Sequence, residues 1–259
     1  MLGRRLAYYL RSIVPLLTRM DSPLTVLKAF LRWPLAAPFP IRLRGLGLTF
    51  KVRGAMDLWV LKEVCLDREY ERFGFVPQDG WQMVDIGAGL GDWAVSVAAR
   101  CPQARIRAYE PFPESYALLV ENVRLNRLEN VRTFPAGVGS CAGTALLEAA
   151  GREAVMVKAR VRGGEGAGGV PVIALSEALG SAPCDLLKMD CEGCEYELVL
   201  HSDPALWSAV RRACLEYHEG VGGHSHGEVV AALRERGFQV EAFPRQTHAD
   251  TGFIRAWKQ

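Results

Sequence analysis

The sequence predicts an α/β fold, doubly wound around a mostly parallel sheet, and three observations point to it. From Gln82 onward, short apolar and β-branched runs alternate with stretches of helical periodicity. One run, Met83 to Ile86, breaks into the turn Gly87-Ala88-Gly89-Leu90-Gly91 and leads directly into a helix. The acids Glu110 and Asp190 also follow predicted strands, at the carboxyl edge where ligands of open α/β sheets bind. With 259 residues, 49% apolar and 23% charged, the chain can bury a sizeable core and is not disordered.

At the amino end, Leu2, Leu6, Tyr9, Leu10, Ile13, Leu17 and Met20 recur at helical spacing, and Ser22-Pro23 opens a second helix with Ser22 as its cap. Pro34, Pro38 and Pro40 mark a linker, after which Leu48, Phe50 and Val52 alternate as a short β segment. Residues 1–53 are thus expected to form a helical arm with a short β segment, and residues 54–259 the main domain. Asp57 is expected to cap a helix running toward Tyr70, and Gly74 to Gly80 leads into the sheet.

Strands are then expected at Gln82–Ile86, Arg105–Tyr109 and Val131–Phe134, with helices over Gly91–Arg100 and Pro113–Asn126. Ala145 to Val161 interrupts this alternation with two β-like runs, expected to form a surface hairpin, and Gly163 to Gly169 is expected to be a loop. A short helix Leu175–Leu179, a core strand Asp185–Met189, a helix starting at Glu195, a strand Ala213–Tyr217 and a helix Gly227–Arg236 follow. Gln239–Phe243 and Phe253–Trp257 close the chain as an antiparallel pair.

The net charge of +2 conceals an asymmetry. Residues 1–53 hold ten Lys or Arg against the single acid Asp21, a net +9, so the remainder is net −7. Two readings of this basic amphipathic arm stand: it lies on an anionic membrane, or it packs over the main domain and helps enclose a substrate. No apolar run reaches the roughly 18 residues a spanning helix needs. The seven cysteines are unevenly spaced and no signal-peptide pattern opens the chain, so reduced thiols and a cytoplasmic location are expected. Cys191 and Cys194 form a C-x-x-C without a second pair, a poor zinc site, and are expected to pack around a strand end.

The glycine turn identifies a nucleotide cofactor site. Its spacing is G-x-G-x-G, with Asp92 where a dinucleotide turn needs its third glycine. Asp85, at the strand end, suits a cationic ligand such as the amino group of S-adenosylmethionine and repels a pyrophosphate. Glu110 stands where an acid accepts both ribose hydroxyls. Phe134-Pro135-Ala136-Gly137-Val138 carries no acid, so a backbone carbonyl there, or another loop, holds the adenine.

Asp85 to Gly91 resembles the first motif of class I S-adenosylmethionine-dependent methyltransferases. Together with Tyr109-Glu110-Pro111-Phe112-Pro113, the run Lys188-Met189-Asp190-Cys191-Glu192-Gly193-Cys194-Glu195 and the upstream Asp57 to Val64, it resembles the FkbM family over most of the chain. The resemblance implies a seven-stranded Rossmann-like sheet with a reversed last strand, S-adenosylmethionine as cofactor, and methyl transfer to a hydroxyl of a small molecule, glycan or lipid-linked sugar. Asp85, Gly87, Ala88, Gly89, Gly91, Trp93, Glu110, Pro111, Gly137, Val138 and Asp190 are the expected cofactor residues.

Asp190, Glu192 and His218 are the candidate catalytic groups, and alternation along an extended segment lets Lys188, Asp190 and Glu192 converge. A carboxylate beside the acceptor takes its proton or orients its hydroxyl, or else Asp190 and Lys188 form a structural pair. His218 is the rival base. Glu216, His218, His224 and His226 offer metal ligands, but their spacing defines no geometry and no metal is expected. Two other functions compete with this one. A nucleic-acid methyltransferase could grip phosphates with the arm, although Asp190-Cys191-Glu192-Gly193 stands where base methylases carry N-P-P-Y. A non-catalytic cofactor-binding module is disfavoured by the intact acids.

Overall fold

The computed structural model describes residues 2–145, 148–150, 154–156, 169–220, 223–245 and 250–258. The periodic amino end forms α1 (Leu2–Thr18) and α2 (Pro23–Phe30), and the alternating segment forms the hairpin β1 (Phe39–Leu43) and β2 (Leu48–Val52). The next helix, α3 (Ala55–Leu61), starts after Gly54 rather than being capped by Asp57. The Asp57 carboxylate instead accepts from the Arg53 backbone N–H at 2.7 Å and pairs with its guanidinium at 2.8 Å. Nor does the helix reach Tyr70 unbroken. Its last turn widens over Lys62–Leu66, with Asp67 N–H donating to the Lys62 carbonyl, and the chain turns at Arg68 (φ +54°) before α4 (Glu69–Arg72).

Beyond it come β3 (Gln82–Ile86), α5 (Asp92–Arg100), β4 (Arg105–Tyr109), α6 (Pro113–Leu125) and β5 (Val131–Phe134), each close to its expected span. The interruption that follows is richer than one hairpin. Three short strands, β6 (Gly137–Gly139), β7 (Gly143–Ala145) and later β10 (Val170–Ala174), make a small sheet with β10 in the middle, while β8 (Glu148–Ala150) pairs with β9 (Ala154–Met156). The expected hairpin includes β8 and β9; residues 146–147, 151–153 and 157–161 of it lie outside the described residues, as do 163–168 of the glycine-rich stretch.

The rest comprises α7 (Leu175–Leu179), β11 (Leu186–Met189), α8 (Cys194–His201), β12 (Arg212–His218), α9 (His226–Glu235), β13 (Gln239–Pro244) and β14 (Thr251–Trp257). The main sheet has seven strands in the order β13-β14-β12-β11-β3-β4-β5. β14 runs antiparallel between β12 and β13, which is the reversed last strand expected from the sequence. β3 lies centrally, so its carboxyl end opens beside those of β4 and β11, at the crevice where such sheets bind ligands.

Apolar clusters cover both faces of this sheet. On one, Tyr196, Leu198, Trp207 and Leu233 pack over β11, β12 and β14; on the other, Trp93, Val97 and Leu119 pack beneath β3 and β4. A third cluster joins the arm to the domain. Leu16, Met20 and Val26 meet Ile41 and Phe50 and continue into Leu61, Leu90, Val95 and Leu118. Each such side chain withdrawn from water contributes about 1.5–3 kcal/mol, so this shared core fastens the arm onto α3, α5 and α6. Among the described residues no helix is long and apolar enough to cross a membrane.

Candidate active site

Where β3 ends, Gly87, Gly89 and Gly91 all adopt positive φ (+74°, +55° and +89°), and the chain turns tightly into α5. A Cβ on Gly87 would lie 1.8 Å from the Asp190 carbonyl oxygen, so this glycine lets the turn nest against the end of β11. A Cβ on Gly89 would meet nothing closer than 3.6 Å, which leaves its backbone open toward the adjoining cavity. Gly91 serves the packing of helices instead, since a Cβ there would strike Leu119 at 2.7 Å and keep α5 and α6 apart.

Beneath the turn, the parallel register sets Asp85 opposite Lys188. The Lys188 Nζ lies 2.8 Å from Asp85 Oδ1 and donates to the Gly87 carbonyl at 2.9 Å, with both side chains essentially out of solvent. Lys188 is the partner of this buried carboxylate, joined to it by charge and by a side-chain hydrogen bond. Burial raises the Asp85 carboxyl, and the Lys188 charge only partly offsets this. Burial also opposes the Lys188 charge, but Asp85, Asp190 and Asp92 around it raise the ammonium above its ordinary range.

Glu110, at the end of β4, closes the other side of the turn. Its two oxygens accept separately from Gly89 N–H and Phe112 N–H, each at 2.8 Å. Burial lifts this carboxyl to about 7, against the pull of the two N–H donors.

The loop after β11 is built by its own last acid. Buried Glu195 accepts from Cys191 N–H at 2.6 Å and Gly193 N–H at 2.7 Å, which holds Glu192 at φ +56°. Cys191 and Cys194 are bonded as a disulfide with their Cα atoms 5.5 Å apart, a correction to the expectation of reduced thiols there. Asp190 accepts a hydrogen bond from Tyr70 Oη at 2.6 Å; the same hydroxyl lies 3.2 Å from Glu216 Oε2, and Arg245 bridges Glu216 and Glu69 at 2.9 Å each. Burial, and then Asp190, push the Glu216 carboxyl well up despite Arg245. Glu192 points to His218 Nε2 at 3.4 Å.

A cavity of about 300 Å³ opens above these groups, walled by Gly87, Gly89 and Glu110, by Pro111, Gly137 and Val138, and by Asp190 and Glu192. Arg53, Met56 and Val60 border it from the α3 side. A larger groove, about 850 Å³, lies at the opposite, amino edge of the sheet around Gln82 and Arg105 and holds none of the expected site residues. The residues present fit S-adenosylmethionine. An open Gly89 backbone, a fixed carboxylate at Glu110 and the apolar walls of Pro111 and Val138 face one cavity.

Four expected cofactor residues stand outside its walls. Asp85 lies below the turn, committed to Lys188. Ala88 is turned inward, its N–H spent on the Tyr109 carbonyl; Gly91 packs on Leu119; and the Trp93 ring is buried under the sheet because α5 is covered on nearly every side. Lys188 lines the same cavity as Asp190 and Glu192, with its ammonium held by Asp85 and the Gly87 carbonyl. The ligands Glu216, His218, His224 and His226 do not come together either: Glu216 pairs with Arg245, His226 with Glu219, and His224 with Glu228 while its ring stacks on Tyr196. Asp190, Glu192 and His218 do gather, their ligand atoms all within 4.8 Å of one another, and such a group can hold a divalent cation.

Sequence reasoning missed Tyr70, Glu195 and Arg245 as parts of the site. Glu195 left a local signal, being the final acid of the K-x-D-x-E-G-x-E run, whereas Tyr70 and Arg245 reach their partners only through the fold.

Known proteins resemble this chain in sequence and in fold. The sequence model of the Methyltransferase FkbM domain matches residues 85–240. The methyltransferase sdnD of Sordaria araneosa is 29% identical over 216 residues, covering 70% of this chain and 82% of that protein. The 31-O-demethyl-FK506 methyltransferase FkbM of Streptomyces tacrolimicus is 27% identical over 217 residues, covering 71% and 82%. The crystal structure of an FkbM methyltransferase from Methylobacillus flagellatus KT superimposes with a TM-score of 0.51 at 12% identity, over 77% of this chain and 53% of that one.

Proposed function

We propose, for a chain that belongs to the FkbM family of S-adenosylmethionine-dependent methyltransferases, that it methylates a hydroxyl oxygen of a small molecule, glycan or lipid-linked sugar. The observation that carries the proposal is the shared cavity, whose walls include Gly89 and Glu110 together with Asp190 and Glu192. When bound, S-adenosylmethionine supplies an electrophilic methyl group on a sulfonium.

Glu110 receives the ribose hydroxyls on lone pairs that Gly89 and Phe112 leave unused. Gly87 and Gly89 let the backbone approach the amino acid portion, while Pro111 and Val138 flank the adenine. Asp190 takes or orients the acceptor hydroxyl proton, a role that typically contributes about 10² to 10⁴-fold. Tyr70 and Glu195 position it, the first by its hydrogen bond and the second by shaping the loop. Aligning the acceptor oxygen in line with the methyl supplies up to about 7–11 kcal/mol of the barrier reduction. The name of the Streptomyces relative, an O-demethyl substrate methyltransferase, supports a hydroxyl acceptor.

A second reading is favoured by the convergence of Asp190, Glu192 and His218. These three would hold a divalent cation, which acidifies a coordinated hydroxyl.

The test is an assay that reads S-adenosylhomocysteine release across hydroxylated sugars, polyketides and lipids and, beside them, amines, thiols and nucleic acid, with the Asp190→Asn variant as control. Turnover on one acceptor class that the variant loses supports the proposal. Turnover only on amines, thiols or nucleic acid refutes it.

A further inference from the structure

The outer surface of the arm carries a feature that the methyl-transfer site does not use. Among the described residues, ten of the thirteen large apolar side chains left exposed lie between Tyr9 and Met56. They are not scattered. On α1, Ser12 and Leu16 face the domain, Tyr9 lies at its edge with the ring partly exposed against Trp59, and Leu10, Ile13 and Val14 face solvent, Val14 at 62% exposure. On α2, Val26 and Ala29 are buried and Leu24 and Leu27 point outward, Leu24 at 74% exposure, with Leu31 and Trp33 exposed just beyond the helix. An apolar stripe this concentrated needs a covering. One face of each helix is already satisfied by the shared core, so the domain itself does not provide it.

The charge around the stripe selects the occupant. Arg11 borders the α1 stripe, Lys28 and Arg32 border that of α2, and Arg19, Arg42 and Arg44 lie exposed nearby. Among the described residues none of these six forms an ion pair, and the segment's sole acid, Asp21, is taken up by Arg42 N–H. A second copy of this chain would bring one cationic rim against another. An anionic bilayer offers both an apolar layer and opposite charge, and an exposed tryptophan sits well at its boundary.

We propose that the outer faces of α1 and α2 form a docking surface for anionic membrane. The surface reaches the candidate active site: the Tyr9 ring packs against Trp59 of α3 with centroids 5.4 Å apart, and Met56 of the same helix is both exposed and part of the cavity border. An acceptor held in the bilayer would therefore meet the cavity at its α3 side. This consequence for the acceptor rests on the methyl-transfer reading; the docking surface does not.

The experiment is co-sedimentation of the full chain with vesicles, without cofactor, so its outcome is separate from that of the methyl-transfer assay. Vesicles of phosphatidylcholine alone are compared with vesicles containing phosphatidylserine. Binding at least about tenfold stronger to the anionic vesicles is expected, weakening severalfold as salt rises from about 0.1 M to 1 M and the screening length falls from about 10 Å to 3 Å. The combined substitution Ile13→Ser, Val14→Ser and Leu27→Ser, all on exposed positions, should lower binding at least about tenfold while the thermal melt stays unchanged; Arg11→Glu with Lys28→Glu should abolish the preference for anionic lipid. Absence of binding at low salt overturns the proposal. So does equal binding by wild type and both variants, or a dimer, seen by light scattering, that the serine substitutions break.

Discussion

Raising the pH from 6 to 8 should tighten cofactor binding about tenfold, and Glu110→Gln should remove both the tightening and much of the affinity. Burial against the glycine turn lifts the Glu110 carboxyl to about 7, from an ordinary 4.5. The ionised group can accept hydrogen bonds from ribose on every remaining lone pair, and protonation removes one of those positions. A carboxyl with pKa near 7 is ionised in about one molecule in eleven at pH 6 and about ten in eleven at pH 8. Because apparent affinity scales with the competent fraction, the ratio corresponds to about 1.4 kcal/mol.

Glutamine cannot substitute cleanly. Each carboxylate oxygen already accepts from a different N–H, so the amide nitrogen must face one of these donors. The affinity cost comes from ribose: a charge-assisted hydrogen bond from its hydroxyl that the amide nitrogen cannot accept is worth about 1.5–3 kcal/mol, a drop of about ten- to hundredfold. Stability responds with the opposite sign. The folded pKa lies above the ordinary value, so the native state binds more protons between pH 4.5 and about 7, and the contribution of Glu110 to stability falls as pH rises through that window. Calorimetric titration of S-adenosylhomocysteine at pH 6, 7 and 8 measures the binding. Asp92 and Glu195 are also raised to about 7 by burial, so comparison with the Gln variant isolates Glu110. A flat wild-type profile, or a Gln variant that binds like wild type with the same profile, would refute the reasoning.

Lys188→Met should destabilise the fold by about 3–5 kcal/mol, read as a lower denaturant midpoint, because it strands a buried Asp85 carboxylate without its cation; adding Asp85→Asn should recover part of the loss. Asp190→Asn should depress turnover about 10² to 10⁴-fold with cofactor affinity within a few-fold, whereas His218→Ala, if active, places proton removal on the carboxylate; an inactive His218→Ala beside an active Asp190→Asn reverses that assignment. Chelator should leave activity unchanged if Asp190 acts directly on the acceptor, and loss of activity restored by a divalent ion would instead make Asp190, Glu192 and His218 metal ligands.

Much of the cavity was legible because its parts lie in short local runs. The turn at Gly87 to Gly91, Glu110 after β4 and Asp190 after β11 are each defined by spacing along the chain, and the alternation of strands and helices places all three at one sheet edge. What escaped depends on register and distance. Asp85 reads as a ligand for a cation, and a cation does face it, but it is Lys188, brought opposite by the pairing of β3 with β11. Tyr70 reaches Asp190 across 120 residues of chain, a meeting that no local pattern encodes. Trp93 looked like part of the turn because it follows it closely; burial on nearly all sides of α5 carries its ring into the core instead. Three-residue strands such as β6 and β7 are too short for alternation to reveal, so the small sheet around β10 has no counterpart in the sequence reading, which saw only the hairpin over Ala145 to Val161. The arm showed its amphipathic character plainly, yet only the fold shows which apolar residues are covered and which remain outside.

The most direct test of the central claim is calorimetric titration of the purified chain with S-adenosylmethionine, S-adenosylhomocysteine and NAD, alongside Gly89→Leu. Wild type should bind both sulfur compounds at one site and show no heat with NAD, and Gly89→Leu should bind neither, because its side chain would enter the cavity from a backbone at φ +55°. Binding of NAD with no response to either sulfur compound, or unimpaired binding by Gly89→Leu, would contradict the account.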